Sequence, residues 1–148
     1  MNEQKTLISI VFVVIQFICL GLIGVTGSLI PSNRVLLLIE VFGIGLGIWA
    51  ILTMRIGNFN ITPDPLKWSR LVTSGPYHYI RHPMYLALLL TTLPLIISDF
   101  DLFRFTIWVI LLIDLLLKLN YEEKLLASSL VGYDQYVRQS ARLIPFIY

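Results

Sequence analysis

The stretch PMYLALLLTTLPLIISDFDLFRFTIWVILLIDLLLKL, Pro83–Leu119, holds two apolar runs separated only by Ser98–Asp101. A membrane-spanning helix needs about 20 mostly apolar residues. The first run, about Pro83 to Ile97, is short and contains Pro94; the second extends from about Leu102 to Leu119. The SDFD between them suits a tight helical hairpin. Outward from this hairpin, two earlier runs qualify, about Leu7 to Leu29 and about Val35 to Ile56. The pattern predicts an all-α integral membrane protein with about four transmembrane helices, a cytoplasmic connector and a C-terminal amphipathic helix. Residues 1–148 read as one domain, with two spanning helices over 1–56 and a core with the hairpin and tail over 57–148.

Composition supports this reading. Of 148 residues, 57% are hydrophobic and 14% charged, and mean hydropathy is +0.81. A soluble domain carries about 25% charge. A net charge of +2 gives no reason to expect a nucleic-acid partner. Cys19 is the single cysteine, which excludes an intrachain disulfide and a metal site built on Cys. The first apolar run is longer than a signal-peptide core of about 7–15 residues, so it reads as a retained helix. The short turns after the first and third helices carry one arginine each, Arg34 and Arg104. The other positive residues lie in the N-terminus, the 57–82 loop, or at and after the end of helix four. By the positive-inside rule the N-terminus, connector and C-terminus face the cytoplasm.

Glycines in the first two helices (Gly24 with Ser28, Gly43 with Gly47) form small-xxx-small pairs that allow close packing and permit dimerisation. GIGLG, Gly43–Gly47, follows no strand and is not a dinucleotide fingerprint. Two acids lie within spans, Glu40 and Asp114. Intramembrane acids are functional candidates; the plainer expectations are an Asp114–Lys118 pair one turn apart and an interfacial position for Glu40.

The connector NFNITPDPLKWSRLV has Pro63 and Pro65, which favour extended or turn structure, and Trp68 suits headgroup depth. SGPYHYIRHPMY, Ser74–Tyr85, follows. Pro76 suits the first position of a short helix capped by Ser74 or Gly75. His82 precedes Pro83, so it falls at the N-cap of helix three. That helix end, with Arg81, forms a positive pole fit for an anion. Helix four returns to the same interface at LNYEEKLL, where Glu122 and Glu123 are expected at or just past its negative end. The two ends together suit a ligand with carboxylate, ammonium and a further cation, the pattern of S-adenosylmethionine. The tail reads as an interfacial helix, interrupted at Gly132 and resumed at Tyr133 and Tyr136. Arg142 is either a membrane anchor or a contact to an anionic substrate.

These residues resemble the isoprenylcysteine carboxyl methyltransferase family, within a wider group that includes phospholipid N-methyltransferases. The pattern G-P-Y-x-x-x-R-H-P-x-Y is met by Gly75, Pro76, Tyr77, Arg81, His82, Pro83 and Tyr85. E-E is met by Glu122 and Glu123, Y-x-x-Y by Tyr133 and Tyr136, and R-x-I-P by Arg142, Ile144 and Pro145. The resemblance covers about residues 55–148. Ala87 stands where many members have glycine, and is expected to narrow a close contact. SLVGY replaces a usual F-G pair before the tyrosines, and the additional N-terminal helices of the eukaryotic enzymes are lacking.

The resemblance implies an S-adenosylmethionine-dependent membrane methyltransferase, with S-adenosylhomocysteine as product. Its cofactor enters from the cytoplasm and a lipophilic acceptor from the bilayer. It implies carboxyl O-methylation first, as of an isoprenylcysteine-like substrate, with N- or S-methylation as alternatives. Gly75, Pro76, Tyr77, His82, Pro83, Tyr85, Glu122 and Glu123 are the expected cofactor contacts. Arg81, His82 and Arg142 are the expected catalytic residues, and no metal is required. Two other classes fit the four-helix outline. A multidrug-type cation/proton exporter would use Glu40 or Asp114 as coupling acid and bind no cofactor. A non-catalytic membrane subunit would fold normally and be indifferent to His82→Ala.

Overall fold

The structure is a computed structural model that describes residues 3–54 and 71–145, with side chains from Leu7 onward. Most of the connector, with Pro63, Pro65 and Trp68, lies outside the described residues, as does the end of the second predicted span at Ile56. Among the described residues there are five α-helices: α1 Glu3–Val25, α2 Arg34–Met54, α3 Pro83–Ser98, α4 Leu102–Ser129 and α5 Tyr133–Gln139. A short 3-10 turn, Gly75–His78, precedes α3, and no strand occurs among the described residues. Among the described residues, two segments are long and apolar enough to cross a membrane, Leu7–Val25 and Arg34–Met54. Helix α3 has only 16 residues, and the apolar half of α4 carries Arg104, Asp114 and Lys118.

Local chemistry sets the boundaries. Asn33 Oδ1 accepts from the amides of Val35 and Leu36 at the start of α2. Asp101 Oδ2 accepts from Phe103 and Arg104 at the start of α4. Each satisfies amides that have no partner within the helix. Pro83 opens α3 at a position where a missing N–H costs nothing. Pro94 lies inside α3 and is buried, which packed membrane helices tolerate.

The helices pack as two main pairs, α2 on α3 and α1 on α4, with a thinner seam between α3 and α4. Gly43 makes the first pair close: a Cβ there would lie 2.8 Å from the Thr91 amide nitrogen. A Cβ at Gly47 would meet the Ala87 methyl at 3.3 Å. Ala87 is thus accommodated because its neighbour on α2 has no side chain. Cys19, Ile23, Leu89, Ile96, Leu111, Leu115 and Leu119 form the core between α1, α3 and α4. Much of α2 is apolar and outward-facing, including Leu38, Val41, Phe42 and Leu52.

At the end bearing the α3–α4 turn, Arg104 ties the bundle. Its guanidinium is 2% exposed, pairs with Asp99 at 2.9 Å, and approaches the Ile23 carbonyl of α1 at 3.4 Å. The predicted hairpin is therefore also the point where the two helix pairs are joined.

Helix α4 corrects one expectation. It continues to Ser129, so Glu122 and Glu123 lie nearly two turns before its end. Apolar periodicity continues through Leu125 and Leu126 and carries the helix beyond the run predicted from the sequence. The negative-pole argument therefore does not apply, and compensation for these acids comes from side chains.

Candidate active site

The candidate site is built where the start of α3, the C-terminal half of α4 and the tail meet. His82 caps α3 with φ −121° and ψ 58°, outside the helical region, as a residue before proline must be. Its amide donates to the Arg142 carbonyl at 3.1 Å, and Arg81's amide donates to the Ala141 carbonyl at 2.9 Å. The tail thus lies alongside residues 79–82, with a single parallel bridge between Ile80 and Ala141.

Glu123 is the centre of the charge cluster. Its Oε1 accepts from Arg81 Nε at 2.7 Å, and its Oε2 pairs with Arg142 Nη2 at 2.7 Å. His82 Nε2 approaches Oε1 at 3.4 Å, within ion-pair distance but without hydrogen-bond geometry. Burial works against the charge of Glu123, but His82 and the Arg81 guanidinium outweigh it and hold its carboxyl down to about 2. Arg81 is occupied further by the carbonyls of Val137 and Ser140. Arg142 also donates to Asn120 Oδ1 at 3.1 Å.

Glu122 is more open. It accepts from the Tyr85 hydroxyl at 2.7 Å and lies 3.6 Å from His82 Nδ1, with its side chain 26% exposed. The His82 and Tyr85 rings stack at 5.2 Å. Tyr77 and Tyr136 bring the 3-10 turn to α5: the Tyr136 hydroxyl donates to the Tyr77 carbonyl at 2.6 Å. Gly75 turns the chain with φ +59°, against Thr53 and Trp49 of α2. A Cβ at Gly75 would lie 2.6 Å from Thr53 Oγ1. Burial pushes the Tyr136 hydroxyl up to about 12 and raises those of Tyr77 and Tyr133 further. All three are neutral donors at pH 7.

Three buried polar atoms in this region have no hydrogen-bond partner in the protein: Tyr77 Oη, Tyr133 Oη and His82 Nε2. Buried polar groups are normally bonded, so each of these atoms has room in its bonding for a water, an ion or a ligand. A cavity of about 450 Å³ opens beside α5, lined by His78, Gln135, Tyr136 and Gln139, and includes none of the charged cluster.

Every residue named above as an expected cofactor contact or catalytic residue falls in this region. Arg81, His82, Tyr85, Glu122, Glu123 and Arg142 join one network, while Gly75, Pro76 and Pro83 shape its backbone. Sequence reasoning missed Gln16 and Asn120, and assigned Lys118 a different partner. Lys118 does not form a close ion pair with Asp114. Its ammonium crosses to α1, donates to Gln16 Oε1 at 2.8 Å, and lies 5.3 Å from the Tyr85 ring centre. The four-residue step from Lys118 to Glu122 was an available signal that Lys118 faces the site; nothing in the sequence marks Gln16 or Asn120.

No curated protein and no solved structure matches the chain significantly. A family model does, over residues 35–128, more than half of the chain, from α2 through nearly all of α4 and including Arg81, His82, Glu122 and Glu123. With its apolar helices and this cluster at the base of α3, the chain is an integral membrane protein that belongs to the isoprenylcysteine carboxyl methyltransferase family.

Proposed function

We propose that the protein transfers a methyl group from S-adenosylmethionine to a lipophilic acceptor that reaches the site from the bilayer. The observation that carries this reading is the Arg81–His82–Glu122–Glu123–Arg142 network, with three unpartnered buried polar atoms around it. The donor set fits the aminoacyl end of that cofactor. Glu122, with one oxygen engaged by Tyr85, would receive the ammonium; His82 Nε2 and the Tyr77 and Tyr133 hydroxyls would meet the remaining polar atoms. Glu123 has a different role. Both its oxygens are committed to arginines, so it fixes the tail over the site instead of binding the cofactor directly.

The bound cofactor supplies an already activated methyl on a sulfonium, so no metal is needed. The protein's own residues bind, align and exclude water. The His82–Tyr85 stack sets the wall between the polar cluster and the apolar seam. Arg142, part-exposed beside Asn120, is the cation placed to orient an anionic acceptor group. A carboxylate acceptor reacts without a base; an amine would pass a proton to a neighbouring base, for which His82 and Glu122 are available. We read α1 to α4 as four spans, with the site, N-terminus and tail on the cytoplasmic side by the distribution of Lys and Arg.

Calorimetric titration of purified protein with S-adenosylhomocysteine tests the reading. The parent binds, His82→Ala loses binding, and Glu123→Gln weakens it. Absence of binding by the parent at millimolar ligand overturns the proposal. Parent-like binding by both variants overturns the site assignment alone.

A further inference from the structure

Helix α4 holds a second polar group that the cluster above does not use. Asp114 lies two turns deeper than Glu122 in the apolar part of α4, is 4% exposed, and has no hydrogen-bond partner at either carboxylate oxygen. No Lys, Arg or His nitrogen among the described residues lies within ion-pair distance of it. A carboxylate sealed between apolar helices is strongly unfavourable unless a cation or donor meets it.

Its position is not isolated from the site. Glu122 bonds Tyr85, the Tyr85 ring faces the Lys118 ammonium, and Lys118 bonds Gln16 of α1. Asp114 is the next turn of α4 along from Lys118. A polar line thus descends from the cluster toward the middle of the bundle and ends in an unsatisfied acceptor. Leu111 and Leu115 beside it are fully buried and apolar.

We infer that Asp114 recognises the ammonium group of a lipophilic amine, held at bilayer depth in line with Tyr85 and the Lys118–Gln16 bond. An ammonium brings three donors and the opposite charge. An alcohol brings one donor, and a carboxylate is repelled by Asp114 itself. The amine's chain would replace lipid against the apolar seam. That this amine is the methyl acceptor rests on the methyltransferase reading, in which the ammonium would first pass a proton to a carboxylate such as Asp114, the freed lone pair would take the methyl, and the sulfonium would leave as a thioether; its binding does not rest on that reading.

The test compares hexadecylamine, hexadecanol and hexadecanoic acid, which share one chain, on the full protein in lipid nanodiscs with empty nanodiscs as reference. The parent binds the amine about tenfold or more tighter than the alcohol, the range for a charged hydrogen bond. Asp114→Asn, of the same shape, loses that preference, and Asp114→Glu regains part of it. Equal binding of amine and alcohol by the parent, preference for the acid, or an amine preference that survives in Asp114→Asn each overturns the inference. S-adenosylhomocysteine is titrated into the same samples, and Asp114→Asn keeps the parent's affinity for it. A parent that binds the amine through Asp114 but not S-adenosylhomocysteine retains this site and refutes the methyltransferase reading. The reverse result refutes the site and leaves that reading standing.

Discussion

Replacing Glu123 by glutamine removes one negative charge from between two arginines and keeps the side-chain shape. In the folded protein this carboxyl ionises near 2, against an ordinary 4.5. The folded state therefore favours the ionised form by about 3 kcal/mol, at 1.36 kcal/mol per tenfold. The side chain is 11% exposed, so solvent screening takes little from this figure. Because the pKa is depressed on folding, the stabilisation is full above about pH 5 and is lost as pH falls through about 2. Glutamine resembles the protonated acid, so Glu123→Gln at pH 7 reproduces the acid loss and leaves Arg81 and Arg142 poorly compensated. The loss falls on the tail contact and not on α1 to α3. Hydrogen exchange at the amides of Arg81, His82 and Ala141, which pair the tail with residues 79–82, should accelerate about a hundredfold. The core helices should be unchanged. Parent-like protection of these three amides at pH 7 would refute the reasoning, as would parent protection that holds constant from pH 5 to pH 2.

Two further substitutions separate packing from chemistry. Gly43→Val places a branched side chain where even a Cβ lies 2.8 Å from the Thr91 backbone; thermal unfolding should show a loss of about 1–3 kcal/mol, the usual range for overpacking. Tyr85→Phe removes the hydroxyl bound to Glu122 while keeping the ring against His82. S-adenosylhomocysteine affinity should fall about tenfold or less, with thermal stability near that of the parent.

The apolar runs predicted α1 to α3 within a few residues, because long helices in an apolar chain have few competing conformations. The end of α4 was not legible in the same way. Spanning length suggested a stop near Leu119, but the helix continues past it on tertiary contacts, with Glu123 drawn between arginines from two other segments. Motif spacing located His82 at the N-cap because proline restricts the residue before it. It did not reveal that Arg81 is spent on the tail, since that depends on where Ser140 and Val137 return. The Asp114–Lys118 expectation failed for a related reason. Helical spacing permits the pair, but Gln16, distant in sequence, offers Lys118 a shorter reach.

The bond between Arg81 and Ser140 joins residues 59 apart in the chain. Helices form from local contacts, whereas a closure of this length waits until the intervening hairpin is in place. Insertion into the membrane and completion of the site are therefore separate events in the life of the chain. A defect confined to the tail yields a protein that reaches the bilayer, resists extraction and survives quality control directed at the helices, yet never acquires a working site. Abundance in the membrane is a poor proxy for function in this architecture.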